Sequence, residues 1–261
     1  MITLFRRIRQ KLIESGSVTR YLLYALGEIA LVMIGILLAL QVNNWNQYTN
    51  ERKIADEYVQ LLLTDLKADT LMLQTLMDES LVKHDDAQRL MKLWHEDINE
   101  FEDTLSVFMA IQDIGRTNSP SFRNNTYNDM VNTGSIKLIK DRTTVDALMT
   151  YYTRDISDWQ NEYIERLWRE YLPIAIDLLP SAFLEDIVRG DIGADTEIRL
   201  DRYFTESGRT DPEQILRSFK QNEKMDFLLK SVSRTHLVHI VFLTESKEQA
   251  ITALKELEKE R

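Results

Sequence analysis

The residues from Tyr21 to Val42, YLLYALGEIALVMIGILLALQV, form an unbroken apolar run whose one formal charge is Glu28. A helix of that length, rising about 1.5 Å per residue, matches the roughly 30 Å hydrocarbon layer of a bilayer. No other feature restricts the fold as much, because a segment this long and apolar needs lipid or a deep core around it. Its flanks suit lipid: Tyr21 and Tyr24 stand at one end and Trp45 and Tyr48 at the other, as in an interfacial aromatic belt. A cleaved signal peptide is the competing reading. Its apolar core would span about 7–15 residues and end in a small-x-small site, whereas this run is longer and leads into QVNNWNQ. The expectation is therefore an uncleaved transmembrane helix over 21–42. No second span is expected, since HLVHIVFL (His236 to Leu243) is too short and contains two histidines.

Charge sets the orientation. The chain carries a net charge of -10, yet residues 1–20 hold Arg6, Arg7, Arg9, Lys11 and Arg20 against Glu14 alone. The window 43–62 has only Arg52 and Lys53. The positive-inside rule then leaves the N-terminus cytoplasmic and sends residues 43–261 across a cell inner membrane into the periplasm, as a single pass. Ile2, Phe5, Ile8 and Leu12 recur at helical spacing among the basic residues. Residues 1–20 thus read either as a basic amphipathic segment on the inner leaflet or as a plain topogenic flank. The overall acidity argues against non-specific nucleic-acid binding.

Within the apolar run Glu28, Val32, Gly35 and Ala39 share one helical stripe, and Gly35 with Ala39 makes a small-xxx-small pair that admits a neighbouring helix. An acid at this depth faces protein or water, or stays protonated. Three roles remain open for Glu28: a helix–helix contact, a proton-responsive group, or a side chain snorkelling to the cytoplasmic interface.

Outside the membrane segment the sequence predicts helices. Neither Gly nor Pro occurs between Gly35 and Gly115. Positions 55, 59, 62, 66, 69, 73, 76, 80, 83, 87, 90 and 94 are apolar except for Asp69, Ser80 and Lys83, a heptad stripe. Tyr58, Leu63 and Met77 widen it, which favours a helical bundle over a bare two-stranded coil. Further helices are expected over about 101–114, 126–132, from Asp141 toward Tyr171, and over about 212–230 and 233–259. TNSPS (117–121) reads as a loop, Gly134 as a left-handed helix stop, 189–212 as a polar connection, and the final KEQAITALKELEKER as a frayed, charged end. The expected fold is all-α: one N-terminal transmembrane helix, then an extracytoplasmic helical bundle over 43–261 containing a long coiled-coil-like helix.

Chemistry-bearing signatures are missing. The chain has no Cys, so disulfides and Cys-ligated metals are excluded, and its 8 scattered Gly form no nucleotide-binding loop. None of His84, His95, His236 and His239 follows an acid by three residues, as a helical di-iron site requires. His236 and His239 share a helix face, where packing in a bundle is favoured over a metal. The run His84, Asp85, Asp86 reads as a solvated face. One polar-aromatic patch stands out as a possible ligand or partner site: Arg123, Tyr127 and Asn128 of FRNNTYND, with Arg142, Tyr151 and Tyr152. Loop closure and helix capping by the same residues is the alternative.

FRRIRQKL (5–12) followed by YLLYALGEIALVMIGILLALQVNNWN (21–46) resembles the start of a bacterial family of single-pass membrane proteins classed as a domain of unknown function. TYNDMVNTGSIKLIKD (126–141) and Tyr151–Tyr152 are similar to its second recurring block, with Thr133 where Ser is expected. The resemblance covers most of the chain in order. It implies a membrane anchor with a helical outer domain, and it supplies neither catalytic residues nor a cofactor. The expected function is that of an envelope interaction or scaffold protein, as a homo-oligomer or with other envelope proteins, and not an enzyme. A ligand-sensing periplasmic bundle acting through a partner is the alternative.

Overall fold

The computed structural model describes residues 18–97, 99–154, 162, 164–189 and 212–260. Among them all regular structure is helical. The basic segment 1–17, Trp159 and Tyr163, and the polar connection 190–211 lie outside the described residues. The chain divides into two compact units, Met1–Tyr58 and Val59–Arg261.

The first helix, α1, runs unbroken over Val18–Glu96. Near its start lies the apolar run, and α1 is the one helix among the described residues long and apolar enough to cross a membrane. No residue of that stretch is buried. Leu22, Leu23, Leu26, Ile29 and Leu31 each leave more than half of their surface uncovered, which water does not tolerate on one continuous patch. At the other end α1 stops where Asp97 enters the left-handed region (φ 59), a conformation that a short polar side chain accepts, with Lys220 pairing to its carboxylate.

Within the second unit α1 turns amphipathic. Val59, Leu62, Leu66, Leu73, Leu76, Ala87 and Leu90 are buried, and so are two of the three polar stripe residues, Asp69 and Ser80; Lys83 is half-buried. Leu71, off the stripe, stays 71% exposed. Each fully buried leucine contributes about 1.5–3 kcal/mol by leaving water.

Short capped helices follow. Asp103 caps α2 (Thr104–Asp113), accepting from the Ser106 N–H at 2.7 Å and its hydroxyl at 2.8 Å. Then α3 (Asn125–Asn132) ends before Gly134, whose φ of 70 lets its N–H reach the Val131 carbonyl at 3.1 Å. Asp141 caps α4 (Arg142–Tyr152) through the Thr143 N–H. This helix does not continue toward Tyr171 as the sequence suggests, because at Thr153 the backbone leaves helical geometry (φ -98, ψ 2).

Helical structure resumes by Ile164 and contains one π-helical turn, Leu167–Tyr171, in which the Leu172 N–H bonds the Leu167 carbonyl. The cause sits just downstream. Pro173 lacks a donor and its ring would strike the carbonyl four residues back, so the wider turn makes room. Pro173 then begins the first turn of α5 (Leu172–Leu178), which α6 (Ser181–Arg189), α7 (Pro212–Gln221) and α8 (Met225–Lys259) follow.

The break between the last two helices falls at 222–224 rather than near 231. Asn222 makes it, its side-chain oxygen taking the Lys224 N–H at 3.1 Å and its carbonyl the Met225 N–H at 2.9 Å. Nor is the end of α8 frayed. Ala250, Ala253 and Leu257 are fully buried, and Glu260 accepts the Asp141 N–H at 2.8 Å. Arg154 reaches across to α8, pairing with Glu245 at 2.6 Å and lying over the Phe242 ring.

Helices α1 and α8 run antiparallel, as three pairs show: His95 with Asp226 (2.7 Å), Gln88 with Ser233 (2.8 Å) and Ser80 with His239 (2.9 Å). The main core gathers Leu90 of α1, Phe108 and Ile111 of α2, Tyr171, Phe183, Phe219 and Leu229. A smaller cluster joins Leu73 and Leu76 to Phe242 and Leu243.

Candidate functional site

Of the four stripe residues in the apolar run, Glu28 and Val32 border one groove of about 540 Å³ that Tyr24, Ala25, Ile29 and Ile36 also line. Glu28 is half-buried, and Tyr24 Oη in this groove is buried. Gly35 has nothing within 4 Å of where a Cβ would sit, and Ala39 is exposed. Around Gly35 and Ala39 the stripe therefore offers a second helix a path of close approach that no described residue occupies.

The polar-aromatic patch assembles only in part. The Tyr127 and Tyr152 rings stack at 4.6 Å and 14°, with Tyr151 edge-on to Tyr152 at 4.8 Å and Phe122 edge-on to Tyr151 at 5.8 Å. Arg123 takes part through its backbone N–H, and its guanidinium charge favours the Asp69 carboxylate. Asn128 is exposed, and Arg142 is nearly fully solvated beside Asp146 on α4, so neither belongs to the cluster.

At the centre is a residue that the sequence reading passed over as a fault in a stripe. Asp69 of α1, 1% exposed, accepts from the Tyr151 hydroxyl at 2.8 Å and from the Arg123 N–H at 3.3 Å. One turn earlier Asp65 accepts from the Thr126 hydroxyl at 2.5 Å. The signal for Asp69 was present: an acid on an otherwise apolar face needs a buried partner. Burial pushes the Asp69 carboxyl above its ordinary range, against the hydrogen bonds that lower it. The Tyr151 and Tyr152 hydroxyls are driven up by burial and then by the Asp69 charge, so both stay protonated. Tyr151 acts as a donor to Asp69, whereas the buried Tyr152 Oη has no hydrogen-bond partner among the described residues. The arrangement ties α1 to the loop before α3, to α3 itself and to the end of α4.

A second polar seam lies between α1 and α8. His236, fully buried, bonds the Ile114 carbonyl through Nε2 at 2.7 Å, and His239 bonds Ser80 through Nδ1. His236 Nδ1 and His239 Nε2 have no hydrogen-bond partner among the described residues. Burial lowers both imidazoles to about 4, with Lys83 and the neighbouring histidine adding to it. Among the described residues no group of three His, Asp or Glu is placed to hold a metal ion. His84 is not on a solvated face, because its Nδ1 meets the Ser233 hydroxyl at 3.0 Å, and Asp86 beside it is half-buried.

No curated protein and no solved structure matches the chain. A family does. Residues 28–166, more than half of the sequence, match the one described as a family of unknown function (DUF6090). The match opens at Glu28 and takes in the rest of the apolar run, the buried stripe of α1 and the tyrosine cluster; FRRIRQKL and residues 167–261 fall outside it. By that match the chain belongs to the DUF6090 family.

Proposed function

We propose that this protein is a membrane-anchored helical assembly protein of the bacterial envelope. It crosses the inner membrane once over 21–42, with its N-terminus cytoplasmic and residues 43–261 periplasmic, and it works by association rather than catalysis. One observation carries the reading: a single helix, α1, is apolar with no buried residue over its early turns and then buries a regular stripe within the second unit. The first part calls for lipid around it, and the second belongs to a folded domain. A family match that runs from inside the apolar run into that domain supports a retained anchor over a discarded signal peptide. The partner we assign is a second copy, docked along Glu28, Val32, Gly35 and Ala39, where small residues permit close packing and a carboxyl is sheltered by protein.

Replacing Glu28→Leu keeps the segment apolar and removes the sheltered carboxyl. The expected result in native gels of detergent-extracted membranes is a shift toward monomer. A variant that migrates like the parent would remove Glu28 from the contact.

A further inference from the structure

An open cleft of about 730 Å³ lies where α1 meets the end of α2 and the loop after it. Glu79, Val82, Lys83 and Asp86 of α1 form one wall, and Asp113 and Arg116 the other. The membrane-assembly reading makes no use of it.

Three observations separate this cleft from an ordinary charged surface. Opposite charges sit close without touching: Lys83 feels Glu79 and Asp113, and Asp113 feels Lys83 and Arg116, yet neither cation makes an ion pair among the described residues. Lys83, Asp86, Asp113 and Arg116 are all half-buried; Asp86 pairs with Arg89 at 3.2 Å on its own helix, while the other three have given up hydration without an ion-pair partner among the described residues. Burial accordingly pushes the Lys83 ammonium down and the Asp86 and Asp113 carboxyls up. Finally, Gln112, 1% exposed, holds the second wall in place. With its amide turned to satisfy both neighbours, its nitrogen donates to Asp113 and its oxygen accepts from Arg116 Nε at 2.7 Å.

We propose that this cleft binds a small zwitterion, an α-amino acid or short peptide, whose carboxylate meets Lys83 and Arg116 and whose ammonium meets Asp86 and Asp113. A simple anion entering here meets the carboxylates, and a simple cation meets Lys83 and Arg116. A ligand bearing both charges satisfies each wall. The volume leaves room beyond the shared ammonium–carboxylate unit for a side chain against Val82 or for a second residue.

The test uses the full chain in detergent micelles, with thermal shift followed by calorimetric titration against the free proteinogenic amino acids and their homodipeptides. At least one zwitterion should raise the melting temperature by mass action. The N-acetyl and the amide derivatives of that compound, each lacking one charge, should bind at least about tenfold more weakly. Comparing amino acid with dipeptide fixes which of the two the cleft takes. Lys83→Met and Asp113→Asn should each lose about tenfold in affinity; if either fails to fold, the derivative comparison on the natural chain decides. The proposal is overturned if no zwitterion shifts the melting temperature. Equal shifts from inorganic phosphate, from putrescine or from the blocked derivatives would overturn it too. It does not rest on membrane assembly, so its failure leaves that reading intact.

Discussion

Asp69 shows how one residue can decide what a patch is for. A carboxylate placed at a core position of α1 gathers the Tyr151 hydroxyl and the Arg123 N–H, and the aromatic rings close over it. Tyr151→Phe should therefore cost about 1–3 kcal/mol in chemical denaturation, since it strands a buried acceptor. A change under a few tenths would mean that the contact is dispensable.

The buried imidazoles make a pH prediction with a definite sign. His236 and His239 titrate near 4 in the folded chain against 6.5 when exposed. Between those values the unfolded chain binds protons that the native state refuses. Stability is thus complete above about pH 6.5 and falls as pH drops toward 4, by an amount on the order of 3 kcal/mol per imidazole. His236 faces the Ile114 carbonyl, Lys83 and His84, and His239 faces Ser80, Thr117, Lys83 and His236, and none of these neighbours is a carboxylate that would offset the effect. Asp69, Asp86 and Asp113, raised by burial, oppose it at the acid end. Denaturation midpoints measured from pH 7.5 to 5 should decline, and less steeply in His239→Gln. An equal decline in that variant would exonerate the histidine.

At the scale of elements, Gly115 is a test of packing. A Cβ there would lie 2.6 Å from a ring carbon of Tyr171, whose hydroxyl is pinned to the Ile111 carbonyl at 2.6 Å in the main core. The ring cannot yield, so Gly115→Ala should destabilise by about 1–3 kcal/mol. A neutral result would show that α2 and the π-helical turn are packed more loosely than this.

The elements were legible wherever one local cause dominates. The heptad stripe, the Asp141 cap and the left-handed Gly134 are set by spacing or by one residue's chemistry, and the helices obey them. Reading failed where a distant partner decides. The end of α8 looks like a solvated run of charges until its small positions, Ala250 and Ala253, meet the rest of the bundle. The break at Asn222 carries a turn signal no stronger than Ser231 or Ser233, and only the burial of Ser233 against Gln88 shows why the helix runs on through that position. Likewise Arg142 and Asn128 were grouped with Tyr127 by nearness in sequence, whereas Asp65 and Asp69, more than fifty residues away, complete the cluster.

For the whole molecule, the claim with the widest reach is that copies of the chain meet along the Glu28 stripe in the membrane. Because the chain has no native cysteine, single cysteines placed in turn at positions 27–42 report contact without background. Disulfide crosslinking in intact membranes should peak at 28, 32, 35 and 39, with the helical period that one seam demands. A flat profile across 27–42 would contradict self-assembly through this helix.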